Sequence, residues 1–207
     1  QPFEPDWAIA GKEHRYLITI GNDGMSVARG VGVTDLLDFK QPGLLGETFL
    51  RCEPVDPDDL VTCAFTAPNT VTVNRLQVGN DAVIPTAGTG VLHPGERFGF
   101  YLITQVDPGY VLDATDLIAE DTANITTTTT DFHTQNNTDR HQTLIVAEAD
   151  LSVVKTDVFG TDPGNGFLTC DPVQPGGMVT YDITVTNNGP SDAAAVLSKF
   201  TEYNPFI

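Results

Sequence analysis

The chain has 207 residues, with 28 acidic against 10 basic side chains and a formal charge of −18. A field of that sign repels nucleic acid and anionic lipid and keeps a crowded surface soluble, so neither is an expected partner. No apolar run approaches the roughly 18–20 residues of a membrane-spanning helix, the longest candidate being Ala193–Leu197, and three cysteines are too few for a disulfide scaffold.

Neither an initiator Met nor a signal peptide opens the chain, so Gln1 is expected to follow a processing site or a longer segment. Residues 1–13, with Pro2, Pro5, Trp7 and Gly11, read as an irregular lead-in. β-Branched and aromatic content together with alternation predicts strands over about 14–21, 27–35, 60–66, 70–78, 97–107, 119–130 and 140–147. In the first of these, Tyr16, Ile18 and Ile20 alternate with Leu17 and Thr19, which assigns the former to one buried face. Phe98, Phe100, Leu102, Thr104 and Val106 share one face of the fifth. Arg97, Gly99, Tyr101, Ile103 and Gln105 share the other, and that strand is expected to lie centrally with apolar cover on part of both sides. Gln41-Pro-Gly, Asp56-Pro-Asp-Asp, Gly88-Thr-Gly, Pro94-Gly-Glu and Asp107-Pro-Gly-Tyr are turn signals, and many short strands so punctuated predict an all-β sandwich. By composition alone Asp192–Tyr203 could pass for a helix.

The chain repeats itself. Tyr16–Val31 and Tyr181–Val196, an ungapped offset of 165 residues, agree at 8 of 16 positions. Each copy is a strand leading into a turn, Asn22-Asp-Gly or Asn187-Asn-Gly, whose residues tolerate positive φ. At least parts of two homologous units are therefore present. The same alignment overrules helix for the first five residues of 192–203. The join falls at Ala147–Asp150, giving a first unit at residues 1–148 and a partial second unit at 149–207.

Ala149-Asp-Leu-Ser-Val-Val-Lys-Thr-Asp, followed by Pro175-Gly-Gly-Met-Val-Thr-Tyr-Asp-Ile-Thr-Val-Thr-Asn-Asn-Gly-Pro-Ser-Asp-Ala, closely resembles the opening of the bacterial and archaeal cell-surface repeat known as domain of unknown function number eleven. Leu92-His-Pro-Gly-Glu is similar to that family's turn, and Asn124-Ile-Thr-Thr-Thr-Thr-Thr-Asp through Asn136-Asn-Thr138 is similar to its closing strands. The resemblance implies tandem immunoglobulin-like β-sandwiches on an envelope or secreted protein, one nearly complete and one partial. Cys52 and Cys63 bracket a turn-rich loop and could staple a hairpin or be two buried thiols; the resemblance favours a disulfide. Cys170 has no evident partner and reads as cross-linked to another chain or buried and inert.

Signatures of zinc peptidases, serine hydrolases, phosphate-binding loops and Cys-x-x-Cys redox centres are absent, and His14, His93, His133 and His141 are scattered without ligand spacing, so no catalytic residue is expected. Acidic turns at Asp56, Asp58 and Asp59, and at Asp157, Asp162 and Asn165, are candidate calcium loops without the spacing of an EF-hand, and solvated turn acids are the plainer reading. No other cofactor is implied. Asn124 and Asn136 open N-glycosylation sequons, and Thr126–Thr130 reads as a run of hydroxyls on a strand.

These readings converge on a structural protein of the cell surface or extracellular space, a subunit of a stalk, fibre or filament. The rivals are an adhesin-type module gripping glycan or protein, and an accessory region of a larger secreted enzyme. Moved back by 165, the strand carrying Asp150, Leu151, Val153 and Lys155 would precede Gln1, so the first unit is expected to lack its opening strand. Its place is expected to be taken by residues 150–207 of another copy, in a head-to-tail homo-oligomer, or by neighbouring repeats of a longer chain.

Overall fold

The computed structural model describes residues 7–37, 39–41, 44–77, 90–110, 117–157 and 180–199. The strands in chain order are β1 (Trp7–Ile9), β2 (Glu13–Gly21), β3 (Ala28–Leu36), β4 (Phe39–Gln41), β5 (Leu44–Leu45), β6 (Glu47–Pro54), β7 (Leu60–Thr66), β8 (Thr70–Gln77), β9 (Gly90–Leu92), β10 (Arg97–Val106), β11 (Ile118–Thr126), β12 (Thr138–Val146), β13 (Leu151–Asp157) and β14 (Tyr181–Asn187). A 3-10 turn at Thr134–Asn136 is the sole helical element among the described residues, and none of their helices could cross a membrane. The protein is all-β, and the described part of Asp192–Tyr203 contains no helix.

The chain forms two compact units, residues 1–148 with Pro190–Asp192, and residues 149–189 with 193–207. In the first, one sheet runs β1-β12-β11-β3-β8-β7 with β9 also on β3, and a second runs β2-β10-β6. Alternation explains why they stack. Tyr16, Ile18 and Ile20 of β2 and Phe98, Phe100 and Leu102 of β10 are all 8 % exposed or less, and they meet Val31, Val33, Val61, Val71 and Val73 of the larger sheet in one core. β10 is the central strand of its sheet, paired with β2 and β6, and all five of its inward residues are buried. A smaller cluster of Ala8, Ala10, Val106, Tyr110, Ala119 and Ile145 fills one end.

The lead-in departs from the irregular reading, because Trp7–Ile9 pairs parallel with Leu144–Val146. Pro190–Asp192 also belongs to the first unit rather than the second. The Ser191 hydroxyl donates to the Ala10 carbonyl (2.7 Å) and accepts from the Glu148 N–H (2.8 Å). Gly11, at φ +87°, lies so close beneath that a Cβ there would overlap the Pro190 carbonyl.

The threonine run is a second departure, since β11 stops at Thr126. The Thr127 and Thr128 hydroxyls donate to the Arg29 carbonyl, the Thr129 hydroxyl donates to that of Val27, and the Arg29 N–H donates to Thr129 Oγ1. They embrace a bulge where β3 shifts register against β9 between Arg29 and Val31, with Gly30 at φ +60°. Side chains here replace a ladder.

In the second unit β13 and β14 form an antiparallel pair, Leu151 opposite Asn187 and Asp157 opposite Tyr181. Tyr181, Ile183 and Val185, equivalents of the buried Tyr16, Ile18 and Ile20, are exposed.

Candidate assembly edge and groove

Among the described residues β2 pairs with β10 alone. The Asn22 N–H donates to the Glu96 carbonyl (3.0 Å) and the Asn22 carbonyl accepts from the Gly95 N–H (2.7 Å). The two-residue period of a strand therefore turns the backbone groups of Ile20, Ile18 and Tyr16 toward β10 and those of Leu17, Thr19 and Gly21 the other way. No strand among the described residues pairs with that second side. Beside it runs a groove of about 360 Å³, bounded by β2 and, opposite, by β11, the Thr134–Asn136 turn and the start of β12. Ile18, Ile20, Val33 and Ile125 line it, although Ile18, Ile20 and Val33 keep only 8, 7 and 1 % of their surface exposed.

The opposite seam is closed. A disulfide joins Cys52 of β6 to Cys63 of β7, tying the second sheet to the first with 6.0 Å between Cα atoms.

Behind Tyr16, which lines the groove, lies a buried polar cluster. Glu47, fully buried, accepts from the Tyr16 hydroxyl (2.9 Å) and the Thr104 hydroxyl (3.2 Å) and lies 3.3 Å from His14 Nδ1. Burial, with the charges of Glu47 and Asp121 beside it, pushes the Tyr16 phenol far above its ordinary range. Asp35 and Asp121 are also buried, and neither oxygen of Asp35 nor Oδ1 of Asp121 meets an N–H or hydroxyl. Their recourse is a shared proton. Burial above all, then the Asp121 charge and hydrogen bond, push Asp35 up to about 10. Burial pushes Asp121 up to about 6, while the hydrogen bond with Asp35 pulls the other way. Burial raises both carboxyls, so the pair holds a proton between them, and of the two Asp121 lines the groove.

Of the residues singled out from sequence, Asn124 and Asn136 both line this groove, and Asn124 Oδ1 accepts from the Thr138 hydroxyl of the other sequon (2.8 Å). Asp56, Asp58 and Asp59 occupy the β6–β7 turn, where Asp56 Oδ1 accepts the Asp58 N–H and the Asp56 carbonyl accepts the Asp59 N–H. The turn uses its own acid, and among the described residues no three His, Cys, Asp or Glu side chains converge on a cation site. Asp162, Asn165 and Cys170 lie outside the described residues. His14 and His141 flank Tyr16 with ring centroids 4.3 and 6.2 Å away. The buried acids escaped the sequence reading, although Asp35 falls on the inward phase of Val31, Val33 and Leu37.

Fold and seam together define an all-β sandwich with one margin pinned by a disulfide and, among the described residues, no strand on the outer edge of β2. No protein-family model and no curated protein matches the chain. Among solved structures, one described as AvmM, which catalyses macrocyclization in alchivemycin A biosynthesis, aligns with 69 % of this chain and 84 % of its own at 14 % identity and a TM-score of 0.41.

Proposed function

We propose that this chain is a structural extracellular protein, a subunit of a stalk, fibre or filament whose sandwich units associate head-to-tail through β-strand contacts, without an active site. The observation that carries the reading is the edge of β2 that no strand among the described residues pairs, beside a groove lined by Ile18 and Ile20. Unpaired backbone groups and uncovered apolar surface are costly unless another strand supplies partners, and an edge of this kind is a template for strand addition. A head-to-tail contact need not close on itself and so propagates. The resemblance to tandem surface repeats agrees with this. So do the disulfide, which suits an oxidising compartment, and the net charge of −18, which disfavours nucleic acid.

Electron microscopy of the purified chain, with light scattering across a concentration series, tests it. Rods or filaments whose mass grows with concentration are expected, and removal of residues 150–207 is expected to leave monomers. Compact particles of constant mass at every concentration would end the proposal.

A further inference from the structure

We infer that the edge of β2 away from β10 takes strand β13 of a second copy of this chain, antiparallel, in the register that sets Val153 opposite Ile20 and Lys155 opposite Ile18. The inference rests on the strand-contact reading above and specifies which strand is used and how it is seated.

The repeat fixes the register. β14 is the homologue of β2, and within the second unit β14 already holds β13, with Val153 opposite Val185 and Lys155 opposite Ile183. Subtracting 165 turns those partners into Ile20 and Ile18. The edges correspond as well. The Asn188 N–H donates to the Asp150 carbonyl (2.7 Å), so Asp182, Thr184, Thr186 and Asn188 turn their backbone groups toward β13. Their equivalents are Leu17, Thr19, Gly21 and Asp23, on the side of β2 away from β10. The edge that binds β13 in one copy of the repeat is thus the edge that no described strand pairs in the other.

Burial supplies the direction. Exchanging β14 for β2 conserves the backbone ladder, so side chains decide. On β14, Leu151, Val153 and Val154 are 48, 63 and 59 % exposed. Residues directly opposite share a face of the sheet, so on β2 Leu151 and Val153 would join the face of Ile18 and Ile20 and cover the groove.

Charge bears on the occupant too, since the register sets Lys155 opposite Ile18 and Asp157 opposite Tyr16. Lys155 shares that face, and in the second unit its ammonium sits 3.7 Å from the centroid of the Tyr181 ring. Tyr181 corresponds to Tyr16, which lines the groove together with Asp121, whose Oδ1 has no donor. A strand of this sequence brings an ammonium toward Asp121, whose neighbour of opposite charge in the groove is the His141 imidazole.

The test uses the full chain with Cys170→Ser, adding Thr19→Cys and Val154→Cys. These positions become a hydrogen-bonded pair in the inferred register, with Cα atoms about 5.5 Å apart, a separation a disulfide spans. Mixed isotope-labelled and unlabelled chains are oxidised mildly, and linked peptides are read by mass spectrometry. Heterolabelled 19–154 links are expected, with few in the control carrying Thr19→Cys and Ser152→Cys. Links within one chain would overturn the second copy as donor, and links favouring the control would overturn the register. If the chain assembles by light scattering without 19–154 links, this inference fails and the head-to-tail reading stands. If it neither assembles nor links, both fail. In parallel, Lys155→Met is expected to weaken association by about tenfold and Lys155→Arg to preserve it. Equal association of the two variants would remove Asp121 from the account.

Discussion

Asp35 offers a sharp thermodynamic test, because a buried acid that holds its proton makes folding worse as pH rises. In the folded chain the carboxyl titrates at about 10, against an ordinary value of 3.8. Across that interval the folded state binds one more proton than the unfolded state, so the group's contribution to stability is fully present below 3.8 and is lost as pH rises toward 10. The loss amounts to about 1.4 kcal/mol per pH unit. Asp35→Asn keeps the shape and hydrogen-bond donor of the neutral acid and removes the proton. It is expected to leave stability little changed at pH 4, and to raise it at pH 7 by on the order of 2–4 kcal/mol after allowance for relaxation around Asp121 and Glu47. Urea unfolding of both proteins at pH 4, 5, 6 and 7 measures the difference, while Asp121, His141, Tyr16 and Glu47 nearby are common to both. Parallel stability curves for wild type and variant would refute a protonated Asp35.

Replacing both Cys52 and Cys63 by Ser opens a loop whose ends are separated by 11 residues in sequence. A loop of about that length corresponds to about 3 kcal/mol in the chain-entropy account, so the urea midpoint is expected to fall; an unchanged midpoint would contradict it. Ser191→Ala leaves the Ala10 carbonyl and the Glu148 N–H without their partner and is expected to cost about 1–3 kcal/mol, read as a lower melting temperature. Gly11→Ala places a methyl group against the Pro190 carbonyl at a positive φ, and faster amide exchange at Glu148 and Ser191 is expected, with unaltered exchange speaking against the contact.

Much of this architecture is legible in the chain because β2, β3, β7, β8, β10 and β12 obey a two-residue alternation strong enough to fix their spans within about two residues. Five strands carry no such mark, the short β4 and β5 among them. β1 is three residues long and exists through its parallel pairing with β12; β9 has Gly90 and pairs with a bulged stretch of β3; β6 turns a glutamate inward and ends on Pro54. Thr127–Thr129 have the composition of a strand, yet their hydroxyls bond the neighbouring backbone, a competition that composition cannot reveal. The groove depended on pairing partners distant in sequence. The polar cluster behind Tyr16 was hidden by abundance, since 28 acids mask the two, Asp35 and Asp121, that alternation would place inside.

The Cys52–Cys63 link has a consequence for the far side of the molecule. By holding β6 to β7 it sets the spacing of the two sheets along one margin, much as a spine sets the opening of a book. Sheets fixed along one side lose freedom to collapse onto each other or drift apart on the other, so the range of widths open to the slot beside β2 is narrowed. Preorganisation of this kind shifts an ordering cost from association to folding. If β2 takes a strand as proposed, reducing the disulfide is expected to weaken that association through a wider distribution of slot widths, even though neither cysteine lies on β2.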